Sequence, residues 1–242
     1  MISLVYDGTY DGFLSAVFLA YARKIENSAM LYRDSGGVPL GECVMVQTDA
    51  AHAERVQNRL CKLGISRHAY KAWLTGEDSI DDAVLALIRK AIADGKSPLG
   101  DRSVQCVKRV CEASDRVGLE VHRFQQFVRF RKGSEAPHVY VADIEPAYDI
   151  LPMLGNHFSA RFSSQFFIIR DLRFKKSLIW DRERWYISED RAVLELKLRD
   201  RSEFGKLWKG YFDAVAIPWR RNKKLQAQFV PQRFRPHLTE FN

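Results

Sequence analysis

Residues 121–146 read V-H-R-F-Q-Q-F-V-R-F-R-K-G-S-E-A-P-H-V-Y-V-A-D-I-E-P, and the hydrophobic period changes inside the stretch. Up to Gln126 the pattern is helical, and His122 and Gln126 fall one turn apart on one face. Phe127-Val128-Arg129-Phe130-Arg131 alternates instead, so a strand would place Phe127, Arg129 and Arg131 on one side and Val128 and Phe130 on the other. After a loop containing Gly133 and Pro137, His138–Glu145 is expected to return as the paired strand. That pairing brings Asp143 and Glu145 within reach of the two arginines. Two readings follow: a salt-bridge ladder that stabilises the hairpin, or an anion platform.

Charge divides at the same place. Residues 1–120 hold 15 Lys and Arg against 16 Asp and Glu, whereas residues 121–242 hold 23 against 14. Positive charge gathered in one half points to a polyanionic partner, most simply nucleic acid. A chain of 242 residues can bury a sizeable core. No run is long and apolar enough for a membrane span, and the N-terminal M-I-S-L-V-Y-D-G is not a signal peptide. The expectation is a cytoplasmic protein with no membrane contact. Cys43, Cys61, Cys106 and Cys111 include no C-x-x-C pair, so they are expected to be buried free thiols, with no metal site and no cofactor motif.

Outward from the central stretch, Ile2–Tyr6 is an apolar strand followed by D-G-T-Y-D-G and an apolar helix. The glycines allow a tight turn, and Thr9 or Asp11 is placed to cap the helix. A functional reading puts Asp7 and Asp11 at the carboxyl end of a strand, where α/β folds build sites. Residues 26–42 read as loop and 43–48 as a second strand. Asp49 or Thr48 then caps a helix that ends at Gly64. Residues 47–53, Q-T-D-A-A-H-A, are similar to the catalytic motif of pseudouridine synthases, but Gln47 and Ala51 stand where that motif has a basic residue and glycine. Asp49 therefore reads as a cap.

Residues 66–120 read as helices, with Ser79 as an N-cap and Val84, Leu87, Ile88 and Ala91 as one apolar stripe. Tyr148–Phe162 reads as a helix carrying His157 and Arg161 four apart, and 166–169, 177–180 and 184–187 as strands of a meander. Pro218–Thr239 holds six Lys and Arg and no acid, interleaved with Trp219, Phe229 and Phe234. Basic groups in such a stretch hold phosphates while aromatics stack bases or anchor the tail. The expected fold is α+β: a small N-terminal α/β unit and helices packed on a mainly antiparallel sheet from the C-terminal half. It forms one compact chain with subdomains at 1–119 and 120–242.

Y-D-G-T-Y-D-G-F-L at 6–14, H-R-F-Q-Q-F-V-R-F-R at 122–131, I-E-P at 144–146, H-F-S-A-R-F at 157–162 and the closing P-Q-R-F-R-P-H-L-T-E together resemble a bacterial family of DNA-metabolism and DNA-repair proteins. From about residue 85 the chain looks like a domain of unknown function that also occurs fused to uracil-DNA glycosylase-like domains. The resemblance implies DNA as a partner, together with a radical-SAM protein that modifies or repairs it. It supplies no catalytic residues.

The first functional expectation is a DNA-binding accessory or repair protein acting with a partner DNA-modifying enzyme. Its nucleic-acid contacts would be Arg129, Arg131, Arg161, Trp219, Arg220, Arg221, Lys224, Arg233 and Phe234. The second is an enzyme acting on a base or on the backbone, with Asp7 and Asp11 as acids and His122 and His157 as proton carriers. The third is a protein–protein adaptor for the radical-SAM partner.

Overall fold

Ile2–Tyr6 forms the first strand (β1), and four of its five residues are buried, the pattern of a strand covered on both faces. The computed structural model describes residues 2–25, 30–33, 42–133, 138–196, 207, 210, 211, 214, 224 and 230–238. It divides into two compact units, residues 1–118 and 119–242.

In the first unit β1 lies at the centre of a three-stranded parallel sheet, between β2 (Met30–Arg33) and β3 (Glu42–Met45). The strand Met30–Arg33 corrects the reading of 26–42 as loop. A central strand buried on both faces needs hydrogen-bonding neighbours on both edges, and this four-residue segment supplies one of them. Helix α1 (Tyr10–Ala22) follows β1 directly. Thr9 Oγ1 accepts from Gly12 N at 2.9 Å, so Thr9 is the cap. Gly8 takes the left-handed φ of +79° that the turn demands.

Helix α2 (Ala50–Lys62) is capped by Asp49, whose Oδ1 accepts from His52 N at 2.8 Å. Helices α3 (Ser66–Leu74), α4 (Ile80–Asp94) and α5 (Gln105–Phe127) follow. The α4 stripe of Val84, Leu87, Ile88 and Ala91 is buried as its spacing requires. Ser79 precedes α4 without a side-chain cap bond. The nearby Asp81 instead accepts from the Tyr6 hydroxyl at 2.7 Å, and that oxygen accepts from Trp73 Nε1 at 3.0 Å. Of the four cysteines only Cys111 is buried; Cys43 and Cys61 are exposed, against expectation.

The second unit is built on a five-stranded sheet. Its strands are β4 (Arg131–Lys132), β5 (Val139–Ile144), β6 (Phe166–Asp171), β7 (Lys176–Trp180) and β8 (Trp185–Ser188), in that spatial order. Only β5 and β6 run parallel, joined through α6 (Leu151–Arg161); the other pairs are antiparallel. The chain is therefore α+β, with a mainly antiparallel sheet in its C-terminal half. A short helix, α7 (Arg191–Leu194), and a 3-10 turn, Gln232–His237, complete the described part.

Two corrections fall on the central stretch. Helix α5 continues through Phe127, with Val128 N donating to Phe124 O at 3.0 Å, so the strand begins only at Arg131. The reason is packing. Phe124 and Phe127, one helical turn apart, both meet the Phe234 ring, at centroid distances of 4.8 and 5.1 Å.

Helix α6 buries Leu151, Leu154, Gly155 and Phe158 at i, i+3, i+4 and i+7. Gly155 lets it close onto β8, because a Cβ there would stand 2.5 Å from the Trp185 ring. Phe130, Phe158, Phe162 and Phe167 form one edge-to-face cluster over the sheet. Phe158 and Phe167 are buried, and burying an aromatic side chain contributes roughly 1.5–3 kcal/mol, so this cluster stabilises the unit. Among the described residues no helix is long and apolar enough to cross a membrane.

Candidate functional site

In the second unit the end of α5, the segment after it, β5 and α6 surround a cavity of about 790 Å3. Helix α5 contributes His122, Gln125 and Gln126, and the following residues contribute Val128, Arg129 and Phe130. Helix α6 presents His157 and Arg161 on one face, four residues apart. Phe158, Phe162 and Phe167 form the apolar wall, with Tyr140 and Gln165 completing the lining. A volume in the roughly 300–1,000 Å3 range, apolar walls and a few convergent polar groups are the marks of a ligand site.

The polar groups are held in place. His122 Nε2 lies 2.8 Å from Gln126 Nε2, a hydrogen bond between side chains one helical turn apart. Arg129 Nη1 donates to Gln126 O at 2.8 Å, which fixes the guanidinium group at the rim. Arg161 is exposed and stands 5.7 Å from the centroid of the Phe162 ring. His157 meets Phe158 edge to face at 4.9 Å, and its Nε2 is buried with no hydrogen-bond partner among the described residues. Leaving such an atom unsatisfied costs about 1–3 kcal/mol.

The two arginines of the central stretch have separate roles. Arg131 pairs with Asp143 at 3.0 Å and does not line the cavity. The same carboxylate takes Arg170 Nε at 2.6 Å, and Arg170, 6% exposed, also donates to Leu194 O and Leu196 O. Asp143 is thus shared by a half-exposed arginine and a buried one. Glu145 meets His237 Nε2 at 3.3 Å.

Four expected site residues, His122, Arg129, His157 and Arg161, therefore come together at one cavity. Phe234 does not join them as a stacking surface: it is 3% exposed and packs against α5. Arg233 sits on the 3-10 turn, and Lys224 is exposed. Trp219, Arg220 and Arg221 lie outside the described residues.

Asp7 and Asp11 belong to the first unit. Asp7 accepts from Thr9 N (2.9 Å), Thr9 Oγ1 (2.7 Å) and Thr48 Oγ1 (2.8 Å), tying the end of β1 to the start of α2. Burial acts to raise its pKa, but the threonine hydrogen bonds outweigh this and hold the carboxyl below its ordinary value. A Cβ on Gly12 would collide with Asp7 Oδ1, which accounts for that glycine. Asp11 lines a separate cavity of about 730 Å3 with Tyr10, Glu54, Gln57 and Tyr70. Burial raises the Tyr10 phenol well above its usual value. Among the described residues no group of three or more His, Cys, Asp or Glu is placed to hold a metal ion.

Sequence reasoning missed the aromatic wall and Tyr140, Gln125 and Gln165 as site residues. Gln125 beside Gln126, one turn beyond His122, was the signal that could have pointed to them. No curated protein and no solved structure matches the chain. Residues 78–240, more than half the chain and including every residue that lines the larger cavity, match the family model of DUF4130, a domain of unknown function, and the chain belongs to that family.

Proposed function

We propose that this protein is a DNA-binding accessory that works beside a partner DNA-modifying enzyme, a radical-SAM protein by the resemblance of its sequence motifs. The observation that carries the reading is the convergence of Arg129, Arg161, His122 and His157 on one aromatic-walled cavity in the more basic half of the chain. Arginine guanidinium groups match phosphate geometry and stack on aromatic faces. Aromatic rings beside them give bases a surface to stack on without demanding a sequence. Nearby basic–aromatic pairs extend the same chemistry, with the Arg182 guanidinium 4.1 Å from the Phe166 ring centroid and Lys132 over Tyr140.

The test is equilibrium binding of the full chain to single- and double-stranded oligonucleotides across a salt series. DNA binding through phosphates predicts that log K falls linearly with log salt. Replacing Arg129 and Arg161 by Ala should lower that slope by about one for each arginine that holds a phosphate. A flat salt response, or no binding at low salt, overturns the reading. Partnership is tested separately, by co-purification of the two proteins with and without nuclease.

A further inference from the structure

We infer that the cavity of the second unit holds one unstacked nucleotide, its base against the phenylalanine wall and its phosphate at Arg129 and Arg161; this rests on the DNA-binding reading and narrows it. The lining has the three chemistries such a ligand needs, in separate places. Phe130, Phe158, Phe162 and Phe167 offer ring edges and faces to a planar apolar body. His157 and Gln165, which both line the cavity, offer an imidazole and an amide for hydrogen bonds to the edge of that body. Arg129 and Arg161 supply cations. Phosphate alone does not need the aromatic wall, and an apolar ligand does not need arginines or an imidazole. A heteroaromatic ring carrying a phosphate uses all three.

The volume of the site separates it from a flat stacking platform. Bases in a paired duplex are stacked on both faces, so only an unpaired or extruded base can enter a cavity. A surface that merely tracks the backbone has no use for a cavity of about 790 Å3. The same chemistry has two sources, a free mononucleotide or a nucleotide within a strand.

The experiment compares four probes on the full chain: a duplex with one bulged nucleotide, the same duplex with that nucleotide abasic, the perfect duplex, and a deoxymononucleotide. Stacking on aromatic side chains corresponds to roughly tenfold to hundredfold in affinity per base. The bulged duplex is therefore expected to bind at least tenfold tighter than its abasic counterpart. His157→Leu should erase most of that ratio, and His157→Gln, which can still hydrogen-bond, should restore part of it. Gln165→Ala, at an exposed position, serves the same purpose if His157→Leu fails to fold.

Equal, salt-dependent binding of bulged and abasic duplexes overturns the nucleotide pocket and leaves the DNA reading intact. Binding of the mononucleotide without binding of any duplex or single-stranded oligonucleotide keeps the pocket, assigns it to free nucleotides and overturns the DNA reading. Binding of no probe, single strands included, overturns both.

Discussion

Asp171 is the last residue of β6 and is 0% exposed, a carboxylate with no access to water. Its Oδ1 accepts from Arg173 N and Phe174 N, both at 2.9 Å, and so builds the turn into β7. Its Oδ2 is buried with no partner among the described residues. Burial is the main cause that pushes its pKa up to about 6; the two backbone bonds oppose this and Asp149 adds to it. Because the folded pKa lies above the unfolded value of 3.8, the native state binds this proton more readily than the unfolded chain. Its contribution to stability is fully present below about pH 4 and is lost as pH rises through about 6. A gap of about two units at 1.36 kcal/mol each amounts to about 3 kcal/mol lost by neutral pH. Asp171→Asn keeps the Oδ1 acceptor and cannot ionise. Its amide N–H groups carry their own burial cost of about 1–3 kcal/mol, but that cost does not vary with pH. The quantity to read is therefore the change in the mutant-minus-native difference between pH 4 and pH 8, expected at about 3 kcal/mol in favour of the Asn variant. Urea denaturation at four or five pH values, followed by tryptophan fluorescence, measures it. A change below about 1 kcal/mol would refute the assignment of a buried ionised carboxylate at this turn.

Two further substitutions test how the second unit is held together. Gly155→Ala puts a methyl group against the Trp185 ring and should cost about 1–3 kcal/mol by overpacking, seen as a lowered Tm. Arg170→Met removes the buried partner of Asp143 and strands the Leu194 and Leu196 carbonyls, and should cost about 3 kcal/mol in urea denaturation. Arg131→Met removes only the half-exposed partner of the same carboxylate and should cost less than about 1 kcal/mol.

Local pattern carried much of the fold. The apolar run at Ile2–Tyr6, the α4 stripe and the meander β6–β7–β8 each follow from side-chain period, because one buried face suffices to define them. The errors arose where a distant residue decides between two periods. Phe124 and Phe127 fit a helix, and Phe127, Arg129 and Arg131 fit a strand; Phe234, more than a hundred positions later, favours the helix by packing on both phenylalanines. The strand Met30–Arg33 exists because β1 needs an edge partner, which its own short segment does not announce. At the site, the pairs His122/Gln126 and His157/Arg161 were legible as shared helical faces. Their convergence depends on the parallel β5–α6–β6 crossover, which no local window contains. Arg170-Asp171 at the end of the apolar run Phe166–Ile169 was an overlooked signal, since two charges closing a buried strand need partners.

The tail illustrates how one residue type serves either of two roles, and how to separate them. As a base-stacking group, Phe234 would have to offer its ring to solvent, and its loss would weaken DNA binding without changing stability. Instead the ring is buried between the last turn of α5 and the body of the 3-10 turn. That last turn is followed within two residues by Arg129, so Phe234 acts on the cavity as a brace. Phe234→Leu keeps an apolar side chain but forfeits both ring–ring pairings, which should cost about 1–2 kcal/mol of stability. Binding measured well below the lowered Tm should change by less than about threefold, because every group that lines the cavity remains. A tenfold loss of affinity with an unchanged Tm would return Phe234 to the binding surface and undo its assignment to the core.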